Sequence, residues 1–189
     1  MRFLALMLLS LLLIGCVTNL WTGASLIYDR HNVYKKLEDY QLAASIGRAL
    51  HKNPLFKQKE CIFDIAVFNE DVLLVGVVPT EEMREQARQQ VNEIKGYRRF
   101  FNQLTVSKIP NKTGLQDSWI TTKIRSRIFA DSSINPHEFK VITFNRVVYL
   151  MGDVIPEQAT SVIRIARQCA GVRRVVKLFK YYTLSDQTK

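Results

Sequence analysis

Trp119, Lys123, Arg125, Arg127 and Phe129 are the residues of this chain whose types and spacing carry the clearest chemistry. At about 100° per residue, Ile120, Ile124 and Ile128 form one buried helical side. Trp119, Ser126 and Phe129 then project from the opposite side. Lys123 and Arg125 stand on its flanks, and Arg127 lies nearer the buried stripe, so its head must reach outward. Aromatic rings beside cations suit a non-covalent contact with an anionic, partly apolar surface. Trp favours the membrane–water interface. Lys and Arg near an anionic leaflet contribute about 1 kcal/mol each, while their aliphatic stems lie along apolar surface. The competing use of such a Trp is packing against another part of the same protein.

Covalent and metal chemistry find little material. His31, His51 and His137 are scattered, with no pair at metal-ligand spacing and no Cys-x-x-Cys. Glu81, Glu82 and Glu85 read as a solvated helix start that complements the helix dipole, not as catalytic carboxylates. Gly76 and Gly152 end strands, and no phosphate-cradling glycine loop is present. The expectation is a protein without catalytic residues, metal or cofactor.

Cys16 is the exception, because of what precedes it. Met1 and Arg2 form a minimal positive start, and residues 3–14 are an almost unbroken apolar run. That run is shorter than the about 20 residues a bilayer span needs and fits a signal-peptide core. It ends in Leu13-Ile14-Gly15-Cys16, which resembles the bacterial lipobox. The resemblance implies cleavage before Cys16, acylation of its thiol (palmitate among the acyl chains) and of the new amino terminus. Val17 follows, rather than the Asp that marks inner-membrane retention in enterobacterial lipoproteins. The implied destination is the periplasmic face of the outer membrane, with several acyl chains giving stable anchoring.

Export narrows what the charge means. The 189 residues hold 27 basic and 17 acidic side chains, a net charge of +10, and such an excess points to a polyanion. A periplasmic protein does not meet the chromosome, so nucleic acid is excluded and anionic lipid or another envelope component remains. The charge is also uneven: residues 39–106 carry 9 basic and 9 acidic side chains, residues 117–189 carry 12 and 6. Cys61 and Cys169 would share a disulfide-permissive compartment. They are read as free buried thiols, with a bridge between repeats as the lesser alternative.

Those two segments follow one script. Each opens on Asp39 or Asp117 and an i, i+4, i+8 apolar series: Leu42, Ile46, Leu50 in the first, Ile120, Ile124, Ile128 in the second. Strands follow at Ile62–Phe68 and Phe139–Phe144, then polar pairs Asn69-Glu70 and Asn145-Arg146, then second strands at 72–76 and 148–152. Pro79 and Pro156 open second helices, and Gly96 and Gly171 are read as their left-handed caps. Arg98-Arg99 and Arg173-Arg174 precede a last strand. The order is α-β-β-α-β, twice.

A strand ending in Leu-x-Gly, a helix, then Gly-Val and a closing strand resembles the BON domain. The closest stretches are 117–126, 148–152 and Gly171-Val172-Arg173-Arg174-Val175; in the first repeat Gly96-Tyr97 stands in place of Gly-Val. Two copies behind a lipobox resemble the dual-BON outer-membrane lipoproteins, of the division- and outer-membrane-stress-associated lipid-binding type. The resemblance implies an α+β fold of two tandem domains, each a small three-stranded mixed sheet backed by two helices. It also implies that the second domain binds phospholipid through its first helix and Trp119.

The expected organisation is therefore a signal peptide at 1–15, a lipidated tether at 16–38 (within which 32–38 is a tether or short helix), domains at 39–106 and 117–180, a linker at 107–116 and a tail at 181–189. The first domain supplies an internal comparison: Gln41, Ser45 and Ala49 align with Trp119, Lys123 and Arg127, so the fold itself does not require the aromatic–basic face. The expected function is anionic-phospholipid binding (phosphatidylglycerol, cardiolipin) in support of outer-membrane integrity. The expected partners are the membrane itself, through the acyl anchor, and an outer-membrane or divisome-associated protein. The alternatives are an envelope protein-interaction scaffold and a periplasmic stress chaperone-like factor, neither recognising lipid directly.

Overall fold

A computed structural model describes residues 25–109 and 113–183, with side chains of the first helix from Tyr34 onward. The leader, Cys16, the centre of the linker and the end of the tail lie outside the described residues. The chain divides into two compact units, Met1–Lys35 and Lys36–Lys189, and the tertiary packing that follows is that of the second.

The first repeat comprises α1 (Ser25–Lys52), β1 (Ile62–Phe68), β2 (Asp71–Val78), α2 (Glu81–Asn92) and β3 (Arg99–Val106). The second comprises α3 (Gly114–Ala130), β4 (Phe139–Phe144), β5 (Val147–Val154), α4 (Pro156–Arg167) and β6 (Arg174–Tyr181). In each sheet the middle strand pairs antiparallel with the first and parallel with the last. A two-residue turn joins the antiparallel pair. Asn69, Glu70, Asn145 and Arg146 all take positive φ there, the backbone that matches the twist of a two-residue hairpin. Asp39 accepts hydrogen bonds from the amides of Asn69 and Glu70 (2.8 and 2.9 Å), and Asp117 accepts them from Asn145 and Arg146 (both 2.8 Å). The aspartate that opens each repeat thus ties its first helix to its own hairpin.

Several boundaries differ from expectation: β2 and β5 each run two residues past Gly76 and Gly152 instead of ending there. Residues 32–38 are neither an irregular tether nor a short helix but the interior of the 28-residue α1. Pro79 lies before α2, whose cap is Thr80, its hydroxyl accepting from the Met83 amide; Pro156 does open α4. Gly96 and Gly171 have φ of +96° and +97°, yet they lie beyond the cap residues Glu93 and Gln168. They turn the chain into the closing strand instead of capping the helix.

Gly76 and Gly152 are required by close approach. A Cβ at Gly76 would collide with the carbonyl oxygen of Ile62, and one at Gly152 with that of Glu138, just before β4. Gly152→Ala is therefore expected to destabilise the protein by about 1–3 kcal/mol, the usual cost of overpacking, read as a lowered midpoint in urea unfolding.

Helices cover one face of each sheet. Leu42, Ile46 and Leu50 of α1, with Met83, Ala87 and Val91 of α2, pack on Val72, Leu74 and Leu104. Ile120, Ile124 and Ile128 of α3, with Ala159, Val162 and Ala166 of α4, pack on Val148, Leu150 and Phe179. The opposite faces of the two sheets meet each other: Ala66, Leu73 and Val75 form one cluster with Ile142, Tyr149, Met151 and Leu178. That is why β2 is apolar from Val72 to Val78 and buried at every position, as a strand covered on both faces must be.

Candidate functional site

The 17-residue α3 begins at Gly114, three residues before the expected Asp117. The earlier start adds Leu115, which sequence reasoning missed, to the outward stripe. Leu115 is 93% exposed, Trp119 63% and Phe129 78%, and with Thr122 and Ser126 they share one side of the helix. Ile120, Ile124 and Ile128 are buried on the other side. The spacing that places Leu115 with Trp119, i to i+4, was the signal that could have found it.

Charge on this helix is of one sign at the surface. Its single carboxylate, Asp117, is buried and engaged with the hairpin amides and with the Thr113 hydroxyl at 2.7 Å. Lys123, Arg125 and Arg127 form no ion pair among the described residues. Lys123 is less free than its flank position implied. Its Nζ donates to the Ala170 carbonyl at 3.2 Å and sits 5.6 Å from the centre of the Trp119 ring. An ammonium over an indole face is a cation–π contact, so Lys123 steadies the exposed ring. Two of its three N–H donors remain for an anion. Arg125 and Arg127 are exposed, as expected. Arg125, Ser126 and Phe129 also border a cleft of about 440 Å³ against Pro136, His137 and Phe139.

The site stands on a stiff support. Asp71, 1% exposed, is bound by Arg98 (2.7 and 2.9 Å) and Arg99. Burial works to raise its carboxyl pKa, but hydrogen bonds from Arg99 and Arg98 and their charges prevail, holding it below the ordinary value. Arg98 also donates to Asp153 of the second repeat at 2.6 and 3.0 Å, and Arg99 to the Phe179 carbonyl at 3.1 Å. Lys140, its ammonium pKa lowered chiefly by burial, donates to the Val67 carbonyl at 2.8 Å. Polar bonds around the apolar seam thus hold the second repeat, and α3 with it, in one setting against the first.

The remaining sequence candidates stay apart. His51 bonds the Gly47 carbonyl and packs edge-on to Phe63, while His137 lines the Phe129 cleft. Glu81 and Glu85 pair with Arg84 and Arg88 on the surface of α2. Cys61 is half-buried and Cys169 buried, and both are free thiols. The inter-repeat bridge is therefore not formed, and Cys61 is less enclosed than expected. Among the described residues no group of His, Cys, Asp and Glu could hold a metal ion, and no helix is long and apolar enough to cross a membrane.

The BON domain pattern matches the chain twice, at residues 38–108 and 116–182. The chain belongs to the BON-domain family. This BON protein is 31% identical over 172 residues to the outer membrane lipoprotein DolP of Haemophilus influenzae, covering 88% of this chain and 89% of that one. It is also 32% identical over 154 residues to the 21 kDa hemolysin of Actinobacillus pleuropneumoniae, covering 81% and 79%. The expected dual-BON chain related to outer-membrane lipoproteins is what these matches show, and the two α+β units are the expected fold. A much looser likeness, at 15% identity and a TM-score of 0.33, is to CdsD, a structural protein of the type III secretion system of Chlamydia trachomatis. It covers 79% of this chain and 66% of that one, just under two thirds of its length, and has no bearing on function.

Proposed function

We propose that this BON protein is an outer-membrane lipoprotein, anchored at Cys16, that binds anionic phospholipid through α3 and supports envelope integrity. The outer-membrane assignment is carried over from its DolP relative. The lipid reading rests on one observation: α3 exposes Leu115, Trp119 and Phe129 along a side flanked by Lys123, Arg125 and Arg127, with its one carboxylate turned inward. Apolar rings entering the headgroup layer while guanidinium and ammonium groups reach phosphate is an interfacial contact. The Leu115 side chain extends that contact by one helical turn. Phosphatidylglycerol and cardiolipin are the fitting anionic headgroups. Anchor and helix together make a two-point attachment, in which tethering raises the effective concentration of the weaker contact.

Trp119 is the only tryptophan from Ser25 onward, which gives a direct test. The acyl-free chain from Ser25 to the end is expected to show a blue-shifted, brighter Trp emission with phosphatidylglycerol vesicles and none with phosphatidylcholine vesicles. An unchanged spectrum with both would leave the scaffold reading in its place. Salt should weaken the contact, because the screening length falls from about 10 Å at 0.1 M to about 3 Å at 1 M. The emission shift at fixed lipid is therefore expected to shrink progressively over that range.

A further inference from the structure

The second repeat has a cationic feature that α3 does not use. Arg164 and Arg167 of α4 and Lys177 of β6 border a cleft of about 400 Å³, with Thr160, Ile163 and Gln168. All three cations are exposed, and none is in an ion pair among the described residues. The charge of Arg164 is felt by Asp131, but that carboxylate accepts from the hydroxyl and amide of Ser133 instead.

The first repeat shows that the fold does not need these charges. The helices α2 and α4 both run 12 residues, so Arg167 matches Asn92 and Arg164 matches Gln89. On the closing strands, Lys177 lies opposite Leu150 as Asn102 lies opposite Leu74, two residues before the matching glycines. Three neutral amides thus occupy the positions of three cations. Asn102 spends its amide on the Arg84 carbonyl at 3.2 Å, bridging strand to helix. Much of the charge difference between the repeats is therefore gathered in one groove and not spread over a solvated surface.

We propose that this cleft is a second anion site, separate from the α3 face, that takes a phosphate group. Two guanidinium forks suit phosphate oxygens in paired geometry, the Lys177 ammonium adds a point charge across the groove, and Ile163 provides an apolar wall. The cleft also lies beside the candidate lipid helix: Lys123 of α3 bonds Ala170, three residues past Arg167. A phosphate there belongs to a lipid headgroup or to a free phosphorylated ligand.

The test is amide NMR of the full-length protein in maltoside micelles, which carry no phosphate. One arm adds inorganic phosphate, a second adds phosphatidylglycerol to the micelle, and a third adds sodium chloride at matched ionic strength. Saturable shifts at Arg164, Arg167 and Lys177 are expected in at least one phosphate arm and not with chloride. A response to phosphatidylglycerol alone assigns the site to a lipid headgroup, and a response to both shows that free phosphate suffices. Replacing the three cations with the first repeat's own residues (Arg164→Gln, Arg167→Asn, Lys177→Asn) should weaken binding about tenfold or more. If the triple variant does not fold, each single substitution is expected to weaken binding about threefold, the loss of one of the three charge-assisted contacts. Shifts in neither phosphate arm, equal shifts with chloride, or undiminished binding by the folded variants would overturn the proposal. None of those results bears on Trp119, so the α3 reading stands or falls separately.

Discussion

Trp119→Ala is expected to cut binding of the acyl-free protein to phosphatidylglycerol vesicles about tenfold, and Lys123→Glu about thirtyfold. The first figure follows from the ring. An indole that moves from water into the headgroup layer gains roughly 1.5 kcal/mol, the low end for burying a large side chain, which is about a tenfold effect. The second follows from charge. A lysine near an anionic leaflet is worth about 1 kcal/mol, and reversal replaces that attraction with a repulsion of similar size, about 2 kcal/mol in all. Lys123→Glu also removes the cation held over the Trp119 ring and the bond to Ala170, so the two substitutions should not add fully. Neither side chain supports the core, since the buried face of α3 is Ile120, Ile124 and Ile128. Thermal unfolding of both variants should therefore match wild type within about 2 °C, as surface changes of under 0.5 kcal/mol do. Vesicle co-sedimentation beside a melting curve checks both halves of this expectation.

The largest effect on stability is expected at Asp71. It is buried, and it is the shared acceptor of Arg98 and Arg99, one of which continues to Asp153. Asp71→Ala leaves two guanidinium groups facing each other without their carboxylate. Breaking a buried pair in this way costs about 3–5 kcal/mol. Both arginines retain some solvent, so the low end applies, and the midpoint of thermal unfolding should fall by about 10 °C. Asp153→Ala should cost less, about 1 kcal/mol, because that carboxylate keeps part of its hydration. The pH dependence has a definite sign. The folded-state pKa of Asp71 is lowered, so its contribution is full above the unfolded carboxylate value of about 3.9. It is lost as pH falls below that value and through the folded one. Wild type should therefore lose stability on acidification below about pH 4 more steeply than Asp71→Ala, measured as melting midpoints from neutral pH downward.

Much of the fold could be read in the chain because its rules are local. The doubled Asp, apolar stripe, hairpin and glycine marks fall at fixed offsets, and β1 and β4 occur at the expected residues. The buried face of α3 follows from helical period alone. What escaped depends on distance in the chain or on ends. Leu115 escapes because the repeated pattern opens at Asp117, whereas the helix begins at Gly114, one turn before it. The sheet-to-sheet seam was missed although its signal is in β2, where Asp71–Val78 has no polar alternation and so demands cover on both faces. The latch of Lys123 on Ala170 and the cleft joining Arg164 to Lys177 unite residues on separate elements. No periodicity within one element reports such contacts.

The central claim is that α3 reads an anionic membrane surface through its rings and cations together. It is tested most directly by sedimenting the acyl-free chain, wild type and the Trp119→Ala/Lys123→Glu double variant, with vesicles in which phosphatidylglycerol or cardiolipin replaces phosphatidylcholine in steps. The account predicts wild-type binding that rises with anionic content, vanishes on pure phosphatidylcholine and falls about a hundredfold in the double variant. Wild-type protein that ignores the acidic vesicles, or a double variant that binds them equally well, would contradict it.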